Sequence, residues 1–220
     1  DDDGDGVLDI DDAYPLDSGR SLAGVDADAP TIARAEFGER PVLYVLVDFL
    51  DYQVELSDQQ HLDRMFYENF SVADYYSRLF KNRIQIVAAP ESYQNEGDGL
   101  VRVTVDENHP DDIEASDTLF QMLVSTAAQL EDFLDAAALD VDDNGVLTSD
   151  ELTIAFVVAG QDWCRDSCSH NLPQVRGFTR FSFGDANGGL VIDGIQVPNI
   201  AVQAERGRFN DQTALNVLVH

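Results

Sequence analysis

Two stretches constrain the fold of this chain more than any others: "RPVLYVLVDF" at 40–49 and "LTIAFVVAG" at 152–160, neither of which alternates apolar with polar residues. A strand with one wet face alternates, so a run that is apolar on both parities has to be covered on both faces. That is the situation of strands inside a parallel or mixed sheet with helices packed on it. The intervening sequence supplies candidate helices. Ser57 and Gln60 make a capping-box pattern ahead of Leu62, Met65 and Phe66, and Ser71 with Asp74 repeats it before "YYSRLFK". Residues 117–138 place Leu119, Leu123, Ala127, Leu130, Leu134 and Ala137 at steps of three and four, the pattern of one long helix. "RIQIVAA" and "GLVRVTVD" read as further strands, and "VIDGIQV" as a hairpin turning at Asp193-Gly194. The expected class is α/β, a mixed sheet with packed helices.

Charge narrows the partners. The 220 residues carry 42 acidic and 13 basic side chains, a formal net charge of -29, yet 44% of them are hydrophobic, too many for a disordered acidic tail. Such a field repels nucleic acid and anionic lipid and favours cations; a saline habitat would also select it. No apolar stretch reaches the roughly 18 residues of a membrane span. No signal peptide is recognisable, and the abrupt start at Asp1 reads as a processing or fragment boundary.

The negative charge is concentrated in two places. "DDDGDGVLDIDD" opens the chain with seven aspartates and two glycines in twelve residues, and "DVDDNGVLTSDE" repeats its register at 140–151. A twelve-residue calcium loop supplies oxygens from positions 1, 3, 5, 7, 9 and 12, with glycine at 6 for the sharp turn. On that template the second loop offers Asp140, Asp142, Asn144, the carbonyl of Val146, Thr148 and Glu151, with Gly145 at the turn and Leu147 plugging into the core. The first offers Asp1, Asp3, Asp5, the carbonyl of Val7, Asp9 and Asp12, with Gly6 at the turn. Because a strand pattern follows Glu151, the second site is expected to tie a helix to a strand rather than to form a helix–loop–helix hand. Residues 1–36, rich in Asp, Gly, Ala and Pro, read as an Asp-rich calcium-binding loop module and linker ahead of the 37–220 domain.

Other chemistry is sparse. Cys164 and Cys168 in "WCRDSCSH" would close a short disulfide in an oxidising compartment, or with His170 form part of a metal site in a reducing one. No second Cys or His pair completes a zinc knuckle, which favours the disulfide. His61 and His109 lie in polar segments and are expected to be solvated, while one of Tyr75 and Tyr76 should pack in the core. Asn210 is placed to cap a helix that runs to His220 with its apolar face unfinished, so the chain is expected to continue.

Two resemblances extend this. "DDDGDGVLDIDDAYPLD" resembles the thrombospondin type 3 repeats of bacterial secreted proteins, in which Asp-rich loops wrap calcium and end in a Pro-containing turn, here Tyr14-Pro15. "RPVLYVLVDFLD", "SVADYYSRLFKNRIQIVAAPES", "LDVDDNGVLTSDELTIAFVVAG", "IQVPNIAVQAE" and "TALNVLVH" look like successive landmarks of the immune inhibitor A type of secreted zinc metallopeptidases. The resemblance implies the N-terminal part of a zincin-like domain and a His-Glu-x-x-His helix of which His220 is the first zinc ligand. The general base and second histidine would follow His220, so no catalytic residue lies within this chain. It further implies calcium and, in the intact protein, zinc as cofactors, protein or peptide substrates and an extracellular bacterial location; the roles of Trp163 and His170 stay open. The alternative is a non-enzymatic, calcium-dependent adhesion or surface module on a peptidase-like scaffold.

Overall fold

The computed structural model describes residues 38–109, 112–113, 121–162, 173–175, 178–180 and 190–206. The chain divides into two units, Asp1–Glu36 and Phe37–His220, and every described residue belongs to the second. Among the described residues no helix is long and apolar enough to cross a membrane.

The first apolar run is β1 (Gly38–Phe49), and it anchors the sheet. One edge of β1 carries two short parallel strands end to end: β2 (Ile84–Ala88) against Gly38–Val42, then β3 (Leu100–Val105) against Tyr44–Phe49. Residues 89–99 leave the sheet between them and return. Ala89 N donates to Val42 O at 3.0 Å and Tyr44 N to Gly99 O at 2.7 Å, so the excursion starts and ends at the two peptides flanking Leu43 of β1. Gly99 has φ +79°, and a Cβ there would stand 2.8 Å from that of Ala88, which is why the closing residue carries no side chain. The buried Glu91 carboxylate fastens the excursion by accepting from the amides of Tyr93, Asp98 and Gly99.

The other edge of β1 holds the second apolar run, β5 (Thr153–Asp162), parallel, followed by β10 (Ile200–Arg206), also parallel, and β7 (Phe178–Arg180), antiparallel. Beyond the end of β1 the short β6 (Gln174–Val175) pairs with β5 and with β4 (Asp112–Ile113). β8 (Leu190–Ile192) and β9 (Ile195–Val197) form the expected hairpin, and the positive φ of Asp193 (52°) and Gly194 (81°) gives the turn whose twist suits it. The protein is thus mixed α/β with a mainly parallel sheet and a few helices.

Burial follows the reason for which the runs were singled out. Val42 to Phe49 are all buried, on both parities, as are Ile154 to Ala159. Each large apolar side chain so enclosed contributes about 1.5–3 kcal/mol. The two faces differ in kind. Leu43, Val45, Val47 and Phe49, with Ile154, Phe156, Val158 and Val202, make one face apolar; on the other, Tyr44, Asp48, Gln203 and Glu205 interrupt it.

The helices depart from expectation in two places. α1 (Asp58–Leu62) begins at Ser57 with both halves of the capping box, but it widens at once into a π-helical turn (Asp63–Tyr67) before α2 (Val72–Leu79). The long helix over 117–138 does not form as one piece in its described part. It is a helical turn at 121–124, then α3 (Ala127–Glu131) and α4 (Ala136–Leu139). The break has a local cause: the hydroxyls of Ser125 and Thr126 bond back to the carbonyls of Met122 and Leu123, and Asp135 caps Ala138 N. Leu123, Leu130 and Leu134 still reach the core, whereas Ala137 is exposed and Ala136 takes the buried position.

The two histidines expected in solvent are inside. His109 is 5% exposed, its Nε2 lies 3.0 Å from Ala159 O, and its ring packs 4.4 Å from Phe49. Gly160 makes room for it, since a Cβ there would lie 2.6 Å from Pro173 O and 3.4 Å from His109 Nε2. His61, on the buried side of α1, is 0% exposed. Tyr76 packs against the core and Tyr75 stays outside, as the pairing of the two tyrosines implied.

Candidate cation site

The helical residues end at Leu139, and Asp140 starts a loop whose hydrogen bonds are made almost wholly by its own carboxylates. Asp140 Oδ1 accepts from Asn144 N at 3.1 Å and Oδ2 from Gly145 N at 2.8 Å. Asp142 accepts from Asn144 N and Nδ2, at 3.2 and 2.8 Å, and Asn144 Oδ1 accepts from Val146 N at 2.8 Å. Glu151 closes the loop: Oε1 accepts from Val141 N at 2.8 Å, and Oε2 from the amide and hydroxyl of Thr148, at 2.8 and 2.9 Å. Gly145, at φ +79°, makes the reversal. β5 begins two residues after Glu151, so the element is helix–loop–strand, as its sequence implied.

The fold fixes the loop from behind. Leu147 is fully buried, its N–H donates to Gln196 O at 2.8 Å, and Gln196 N donates to Gly145 O at 3.0 Å, a parallel bridge between the loop and β9. Asn199 then carries the link to β5 by accepting at its carbonyl from Ile154 N at 2.9 Å.

One carboxylate oxygen each from Asp140, Asp142 and Glu151 lies within 4.8 Å of the others. Oxygens bound to one calcium at about 2.3–2.6 Å stand no more than about 5 Å apart, so a single ion fits between them. The donors are hard oxygens, suited to calcium, magnesium or manganese rather than to a thiolate or imidazole metal. Among the described residues no other group of three or more His, Cys, Asp or Glu side chains comes this close. Burial pushes the Glu151 carboxyl up, but its bonds from Thr148, Val141 and Asp142 outweigh that and hold it below the usual carboxylate range. The acid is ionised at neutral pH.

Of the residues singled out from the sequence, Asp140, Asp142 and Glu151 converge, while Asn144, Val146 and Thr148 serve the loop's internal bonding. Asp1, Asp3, Asp5, Val7, Asp9, Asp12, Cys164, Cys168 and His220 lie outside the described residues.

A second polar assembly gave little signal in the sequence. Glu205, at the end of β10, is 1% exposed and accepts from Glu55 N at both oxygens, 2.9 and 3.0 Å, and from Leu56 N at 2.7 Å. His61 Nε2 stands 3.7 Å from it. Burial raises the Glu205 carboxyl, and the His61 and amide contacts more than offset this, leaving it below the carboxylate range. Nearby, Arg102 pairs with Asp48 at 3.0 Å and Asp58 at 2.6 Å, and Asp48 also accepts from Val54 N. An aspartate inside the first apolar run, and Gln203 and Glu205 within "IAVQAE", were the hints that this sheet face is polar in part.

Fold and site together define an α/β protein with a mainly parallel sheet and an acidic helix–loop–strand element bonded into it. No protein-family profile and no curated protein matches the chain.

Proposed function

We propose that residues 140–151 bind one calcium ion as a structural tie, within a calcium-stabilised N-terminal part of a secreted zinc metalloendopeptidase. The observation that carries the first half is the convergence of Asp140, Asp142 and Glu151 on a space sized for one ion. In the free loop three carboxylates face each other at close range, and a divalent cation turns that repulsion into attraction. The ion would join α4 to β5 and, through Gln196, to the β8–β9 hairpin. Thermal unfolding with excess calcium, with magnesium and with chelator tests this. A calcium-dependent rise in Tm with one ion bound at this loop supports the reading, and identical melting in all three refutes it.

The second half rests on the order of the sequence landmarks from Arg40 to His220. In the intact enzyme zinc would supply a Lewis acid and a bound water of pKa about 7. Within this chain His220 is the residue assigned to it. A longer chain continuing past His220 should contain one zinc and cleave a denatured protein substrate. Calcium binding without zinc or cleavage would instead leave the adhesion-type module.

A further inference from the structure

Beneath α1 and the π-helical turn, several buried polar atoms have no hydrogen-bond partner: Nδ1 and Nε2 of His61, Nη1 of Arg64 and Oε1 of Gln203. Buried polar groups are paired in nearly all native structures, so such a group marks a place where something polar belongs. These atoms share one region. Gln203 and Glu205 project from the same face of β10, and Tyr44 lies on that face of the sheet through the register Tyr44–Ala155–Ala201. Gln203 Nε2 donates to the Tyr44 hydroxyl at 3.2 Å, and the Tyr44 and His61 rings are 5.9 Å apart. Arg64, in the π-helical turn, is near enough to act electrostatically on the Tyr44 hydroxyl, and such a widened turn is often found at functional positions.

We propose that this buried polar region is a binding site for internal water, with ordered molecules bridging His61, Arg64 and Gln203. The unmet capacity is balanced. Each imidazole nitrogen of His61 donates or accepts according to where its proton sits, Nη1 of Arg64 is a donor, and Oε1 of Gln203 is an acceptor. Water supplies both roles, and a buried molecule typically makes about three such bonds. The two ring nitrogens of His61 point apart, so about two molecules are needed to serve them. A metal cation fits less well, because the Arg64 guanidinium, close enough to act on the Tyr44 hydroxyl, would repel it. The water would complete the joint whose other side is made by Glu205 and the Glu55 and Leu56 amides.

The test is water–protein cross-relaxation by NMR on the full chain, with ring nitrogen shifts for His61 and metal analysis of the same sample. Long-lived water signals at the His61 ring and the Gln203 side-chain amide, lost from the ring position in His61→Phe, are the expected result. Gln203→Met keeps the volume and tests the site if His61→Phe fails to fold; it should remove at least one of the long-lived waters. Absence of long-lived water in the folded wild type, a direct protein partner at both ring nitrogens, or a stoichiometric metal bound at His61 would overturn the proposal.

Discussion

At the scale of single residues, Glu205 and Gly99 do the most specific work. Glu205 carries a buried charge that is tolerated because three amide contacts and His61 surround it. Its carboxyl is held below the unfolded value of about 4.5, so it stabilises the fold above that pH and the contribution is lost as pH falls through the lower folded value. Glu205→Gln should therefore cost roughly 2–3 kcal/mol at neutral pH and flatten the acid limb of stability against pH, read from urea midpoints. An unchanged acid limb would mean that other carboxylates control it. Gly99→Ala puts a methyl group 2.8 Å from Ala88 Cβ at a left-handed φ. A loss of about 2 kcal/mol or more in chemical denaturation is expected, with the β2–β3 junction first to exchange its amides.

At the scale of elements, the loop at 140–151 and the hairpin at 190–197 behave as one unit because Gln196 bridges them. Asp140→Asn removes a charge while keeping an acceptor for Gly145 N. The expected effect is at least a tenfold weaker calcium affinity by titration calorimetry, and a smaller calcium-dependent gain in Tm than the wild type shows. Because the bridge passes through Gln196, calcium should also slow amide exchange in β9. The Ser57–Gln60 capping box, the Ser71 cap, the Asp193-Gly194 turn and the helix–loop–strand order were legible beforehand, since each depends on neighbours within a few residues; at α2 the Asp74 carboxylate takes Phe70 N instead of the Ser71 N a full box would use. The broken helix at 121–139 was not. Its leucine spacing was right, but serine, threonine and aspartate hydroxyl and carboxylate groups took backbone partners that a continuous helix would have used.

At the scale of the whole molecule, a net charge of -29 makes self-repulsion a standing cost to the compact state. Sodium chloride screens it, so raising ionic strength from about 0.05 to about 1 M, where the Debye length falls to about 3 Å, should raise the Tm in the presence of chelator. The same salt should weaken calcium binding at the loop by screening its carboxylates. If salt lowers Tm without calcium, specific ion pairs such as Arg102 with Asp48 and Asp58 outweigh the general repulsion.

By itself the sequence determined that β1 and β5 are buried on both faces of a sheet in an α/β protein, and that residues 140–151 turn at Gly145 between helix and strand. Those outcomes depend on periodicity and short-range bonding, which linear order encodes. Only the tertiary structure decided that β2 and β3 share one edge of β1, that His61 and His109 are internal, and that Glu205 closes on amides 150 positions earlier in the chain. Such contacts arise from which surfaces meet when the sheet forms, and a polar residue's local surroundings in sequence carry no record of what will be folded over it.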